Sequence, residues 1–150
     1  MPTTAGGIVY PSPTDDPDVP GDLAIMAASI ETGNPNVATG VTAGTGWSVV
    51  AASTRLRRIG GLALIHLEFT RTGAAIVPTS SGTITPTETM GTLPAGWLPG
   101  VVCGYYMANS QAAAFGFIDQ TGNVSLNRTF PAVNIATGIT IRVESMWAMT

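Results

Sequence analysis

The segment Leu62–Arg71, LALIHLEFTR, alternates with a two-residue period: Ala63, Ile65, Leu67 and Phe69 fall on one face, His66, Glu68 and Thr70 on the other. Side chains of a β-strand point to opposite faces in turn, so this pattern predicts a strand with one buried side, apolar on both sides only at Leu62 and Leu64. Near the end of the chain Ile139, Ile141, Val143 and Trp147 alternate with Thr140, Arg142 and Glu144, as in a sheet with one wet face. Further strand candidates lie at 47–59, 82–92, 101–108, 113–119 and 123–128, with the Gly/Asn-containing run Asp119–Asn123 as a tight hairpin turn. Seven short strands at this spacing predict an all-β sandwich over residues 47–150, jelly-roll-like and of seven or eight strands. No internal repeat is present, which excludes a solenoid or propeller.

The surface of such a sandwich is unusual. Only 10% of the 150 residues are charged, while 45% are hydrophobic. Disordered chains show the opposite balance, so the surface is polar through hydroxyls or covered by other subunits. All six basic residues are Arg, which favours fixed planar contacts over flexible solubilising charge. With a net charge of −3 and no basic stripe, nucleic acid is not an expected partner. Cys103 is the only cysteine, so it cannot form an intrachain disulfide and is expected as a buried thiol. The amino terminus lacks the basic and apolar regions of a secretory signal, and no run reaches the roughly 20 apolar residues that span a bilayer. Synthesis in the cytoplasm without membrane insertion is the expectation.

Ahead of the strands the composition changes. Residues 1–20 hold five prolines, so residues 1–19 are expected as an extended arm, with Ile8, Val9 and Tyr10 as its apolar anchoring run. Pro20 suits a first helical position, and Asp22 lies where negative charge meets the positive end of a helix. The spacing of Leu23, Met26, Ala27 and Ile30 predicts a helix over 20–32, stopped by Gly33-Asn34-Pro35. Thirteen residues make about 20 Å of helix, too short to be stable alone, so this stripe is expected to pack on the β domain or on copies of itself. Residues 33–46, GNPNVATGVTAGTG, read as a linker.

Reactive chemistry is sparse. His66 and Glu68 share a strand face, as do Arg142 and Glu144, which allows an acid/base dyad but fits cross-strand ion pairs better. One His and one Cys, with no paired metal-ligand spacing, leave no expected metal site or cofactor. No nucleophile elbow or phosphate loop is present. The sequons at Asn123 and Asn127 carry no meaning without a secretory signal. Trp97, Tyr105, Tyr106, Phe115 and Trp147 offer material for a sugar-stacking platform, against which stands burial in the core or a subunit interface. Tyr105 and Tyr106 are the better surface candidates, because strand neighbours cannot both face inward.

Two segments carry resemblances. Leu93-Pro94-Ala95-Gly96-Trp97-Leu98-Pro99 stiffens the backbone on both sides of Trp97 and leaves it free at Gly96. It resembles the LPxGYRP-like loop of β-sandwich head domains in tailed-phage fibre, baseplate and minor tail proteins, over residues 46–150. The string 8–32 resembles an arm-and-helix segment, YPxxxDxPDVPxDL, of virion proteins from phages of actinobacteria, through Ile8, Tyr10, Pro11, Asp15, Pro17, Asp18, Val19, Pro20, Asp22 and Leu23. The resemblance implies a non-enzymatic virion protein assembled in the host cytoplasm, a homotrimer built with other virion proteins. Its head would meet the host surface, with a cell-surface glycan as a possible partner. The short run before Ile8 brings in a capsid decoration protein or head fibre anchored by the arm. A glycan-cleaving fibre enzyme is the opposing class; it needs two carboxylates roughly 5–9.5 Å apart, drawn from Glu68, Glu88, Asp119 and Glu144.

If the helix stripe is the assembly seam, replacing Leu23 and Ile30 by Asp should reduce a trimer to monomers by light scattering while the near-ultraviolet circular dichroism of the β domain stays unchanged. A wild-type chain that scatters as a monomer at micromolar concentration would refute it.

Overall fold

The computed structural model describes residues 40–59, 62–101, 103–108 and 112–148, with the side chains of Ile59 and 103–108 excepted. The arm 1–19 with Ile8, Val9 and Tyr10, the helix 20–32 with Leu23, Met26, Ala27 and Ile30, and linker residues 33–39 lie outside them. Nine strands are formed by the described residues, and no helix: β1 Thr42–Ala43, β2 Trp47–Val49, β3 Arg55–Ile59, β4 Leu62–Arg71, β5 Thr83–Thr92, β6 Cys103–Ala108, β7 Ala113–Ile118, β8 Asn123–Phe130 and β9 Thr140–Ala148. All pairings are antiparallel, in the order β1-β5-β8-β7-β6-β9-β4-β2, with β3 also on β4. This path curls over on itself into two layers that enclose one apolar core, a β-sandwich.

The core follows the sequence periodicity. Ala63, Ile65, Leu67 and Phe69 of β4 and Ile141, Val143 and Trp147 of β9 are buried, and these strands pair from Leu62↔Ala148 to Thr70↔Thr140. Met90, Ile118, Val124 and Leu126 fill the core from the other layer. An isolated bridge, Ile76↔Ile135, joins the β4–β5 and β8–β9 connections, and both residues are buried. The Asp119–Asn123 hairpin is tied by its first residue, whose carboxylate accepts from the Thr121 and Asn123 amides at 2.9 and 3.0 Å.

Two sequence expectations are revised. Residues 47–59 form two strands, because Val50–Thr54 loops out between Val49↔Phe69 and Arg55↔His66 on the same partner strand. Thr42–Ala43, inside the segment expected as linker, pairs with β5 at Thr42↔Thr92 and Ala43↔Gly91. Segment 42–49 therefore crosses from one end of the sheet to the other, hydrogen-bonding to β5 and to β4 in turn.

At that crossing Gly91 is fixed by space. A methyl group on it would run into the Phe69 ring and the Thr42 carbonyl oxygen, so the site takes glycine only. Gly91→Ala should cost about 1–3 kcal/mol, as overpacking does, and lower Tm by on the order of 10 °C. Calorimetry of Gly91→Ala and of Gly91→Ala with Phe69→Leu checks the cause: the double variant should lose less than the sum of the two singles.

Candidate functional site

Strand β8 falls out of step with both its neighbours at Asn127. Against β7 the register runs Phe115↔Arg128 and then Gly116↔Leu126, leaving Asn127 as a bulge. Against β5 it runs Thr83↔Arg128 and then Glu88↔Leu126, so four residues of β5 stand opposite Asn127 alone. The ladder is interrupted over Ile84–Thr87, and Pro86, which has no N–H to donate, lies in the gap with its preceding peptide bond cis.

The strands part there into an outward-facing cleft of about 870 Å³, within the roughly 300–1,000 Å³ of small-molecule sites. Thr83, Thr85 and Thr87 line one wall; Phe115, Asn127, Arg128 and Phe130 line the other. Phe130 is 70% exposed and Phe115 38%. The bulge is what puts Arg128 and Phe130 outside. Before it Val124 and Leu126 point inward; after it Thr129 does. A side-chain period carried straight through β8 would have buried Arg128 and Phe130 with Val124 and Leu126.

A second polar surface lies on the outer face of β4 and β9. Glu68 receives a hydrogen bond from the Ser53 hydroxyl at 2.5 Å and two from the Arg142 guanidinium at 3.0 and 2.8 Å. Ser53 belongs to the loop that separates β2 from β3. His66 Nε2 lies 3.5 Å from Glu68, and its Nδ1 is 3.1 Å from Glu144. The network is a set of cross-strand pairs, from His66↔Glu144 and Glu68↔Arg142 in register. The Ser53 hydrogen bond lowers the Glu68 pKa from its ordinary 4.5; burial opposes this, and Arg142 and His66 add to it.

Trp97 is half-buried against the core, in the loop after β5. Its amide donates to the Pro94 carbonyl at 3.1 Å, and Gly96 takes φ +86°, which a residue with a Cβ adopts only under strain. The Arg58 guanidinium covers the indole at 4.7 Å from the ring centre and also donates to the Gly96 carbonyl. Of the other aromatic candidates, Trp147 is buried and Phe115 lines the cleft. Tyr105 and Tyr106 stand on β6 at register positions opposite Gly116 and Phe115, and their side chains lie outside the described residues. Sequence reasoning missed Asn127, Arg128, Phe130 and the threonine wall. No protein-family model and no curated protein sequence matches the chain.

Two outcomes follow from these geometries. Trp97→Ala should cost about 2 kcal/mol, below the roughly 3–5 kcal/mol of a fully buried Trp, and a cycle with Arg58→Met should give a coupling of about 0.5–1 kcal/mol in denaturant unfolding. Because the Glu68 pKa is depressed in the folded state, its contribution is present above the unfolded value and is lost as pH falls through the folded one. Glu68→Gln should therefore flatten the fall in Tm below pH 4.5 relative to wild type; parallel acid-limb slopes would contradict this.

Proposed function

We propose that this chain is a non-enzymatic structural protein of a phage virion, a homotrimeric tail-fibre, tail-tip or minor tail component that presents its β domain to the host surface. The observation that carries the reading is the β5–β8 cleft: an outward-facing hollow lined, among the described residues, by exposed aromatic rings, hydroxyls and one guanidinium, with no carboxylate, His or Cys. Such a lining can bind but offers no general acid or nucleophile, which favours recognition over glycan cleavage. On the outer face of β4 and β9 each group of the His66, Glu68, Arg142 and Glu144 cluster is held by a neighbour, as in a structural network.

The strand pairing supports the finer, jelly-roll-like reading. β4 pairs with β9, β5 with β8 and β6 with β7, three nested pairs, and β6 then lies beside β9. Rolling a nested hairpin in this way gives the jelly roll used by viral capsid and lectin domains. The resemblances of residues 8–32 and 93–99 supply the virion assignment, and the proline-rich arm suits attachment to another protein at low entropic cost.

Deleting residues 1–14 should leave a soluble oligomer that no longer enters particles. Gold labelling of particles carrying a tagged full-length chain locates it. Label at the tail end supports the fibre reading, label over the shell favours a decoration protein or head fibre anchored by the arm, and unlabelled particles refute the virion role.

A further inference from the structure

We propose that the cleft between β5 and β8 binds an acidic sugar, its ring stacked on the exposed aromatics and its carboxylate held by Arg128. The inference deepens the binding role put forward above, and it rests on that reading only for the biological source of the sugar.

The charge balance selects the ligand's sign. Each carboxylate of the described β domain already has a partner: Glu68 binds Arg142, Glu88 binds Arg71, Glu144 faces His66, and Asp119 holds its own turn. Arg128 has no carboxylate partner among the described residues, and no acidic residue lines the cleft. An Arg guanidinium presents a planar fork of donors that matches a carboxylate in two parallel hydrogen bonds, so an anionic group satisfies it where a neutral hydroxyl does so only in part.

The remaining lining selects the ligand's body. Phe130, turned outward by the Asn127 bulge, presents a large apolar face to water at 70% exposure. The C–H face of a pyranose covers such a ring while leaving its hydroxyls at the rim. Thr85, Thr87 and Asn127 supply hydroxyl and amide groups of both donor and acceptor character around that position, which suits a ligand rich in hydroxyls. The interrupted ladder over Ile84–Thr87 adds main-chain groups that β8 leaves without ladder partners. A single guanidinium is too little charge for a nucleic-acid backbone, whose binding rests on several phosphate contacts.

The test uses the full chain and a tetrasaccharide of galacturonate, with its methyl ester as a neutral probe of almost the same shape. Calorimetric titration should show binding to the acid that weakens at least tenfold for the ester and at least tenfold with raised salt. Arg128→Gln should lose the preference for acid over ester, and Arg128→Lys should keep part of it. Phe130→Ala should weaken acid and ester alike, with Tm unchanged in all three variants. Equal affinity for acid and ester in wild type, or full competition by an equal concentration of inorganic phosphate, would overturn the proposal, the second by showing a plain anion site. Absence of binding to both probes overturns it as well. Particle labelling is read separately: a chain found on the virion that binds neither probe refutes the sugar site alone, and one that binds the acid but is absent from particles refutes the virion role alone.

Discussion

A sheet that curls over must do something with its two ends, and here one short segment holds both. Thr42–Ala43 hydrogen-bonds to β5 and Trp47–Val49 to β4, so residues 42–49 run between the two ends of the path and staple β5 to β4. Exposed sheet edges are templates for unwanted pairing, and the staple covers Gly91 and Thr92 of β5 and Phe69–Arg71 of β4, while β3 covers Leu62–His66 of β4. Arg71, at the end of β4, locks the junction. It is buried, its guanidinium lies 5.2 Å from the centre of the Trp47 ring, and it reaches Glu88 on β5 at 3.3 Å and the Ala74 carbonyl at 2.8 Å. A buried guanidinium left without those partners would cost several kcal/mol, so the staple, the ion pair and the ring hold or fail together.

Closure also explains where the cleft lies. β5 is committed at one end to the staple, where Gly91 admits the Phe69 ring, and is paired again at Thr83↔Arg128 at the other. Both commitments cannot be met with an even ladder, because β8 offers one residue where β5 has four. The mismatch is absorbed as a separation of the strands, and the bulge at Asn127 turns Arg128 and Phe130 outward into the gap. The candidate site is thus a by-product of joining two well-paired regions, held on rigid strands rather than on a loop, which keeps its geometry fixed before a ligand arrives.

This history decides what could be read from the sequence. β4 and β9 were legible because each has one face in the core and one in water along nearly its whole length, so composition and geometry share a period. The loop at Val50–Thr54 was not, since Trp47–Val49 and Arg55–Ile59 both have strand composition and only their shared partner shows the gap between them. Thr42–Ala43 looked like linker because small residues fit a crossing where Gly44 donates to the Met90 carbonyl at 2.8 Å and a larger residue would strike Thr89. The cleft was illegible for a different reason: a bulge changes which residues share a face without changing which residues are present. Phe115 stood among the aromatic candidates, but Arg128 and Phe130 could be placed beside it only once the register of β8 was known.

The same register separates two outer surfaces that composition alone would treat as alike. On β4 and β9, acidic and basic groups face each other in register, so Glu68, Arg142, His66 and Glu144 satisfy one another and leave little for a partner to gain. Around β8 the partner strands contribute threonines and a proline opposite the Arg, and no carboxylate of the described residues pairs with it. The described domain carries all six Arg of the chain against four carboxylates, whereas residues 1–39 hold the other five carboxylates and no Arg. With charge this scarce, opposite signs on the two parts attract over about 8–10 Å at ordinary ionic strength. Arg55 and Arg57 on β3 also lack a carboxylate partner among the described residues.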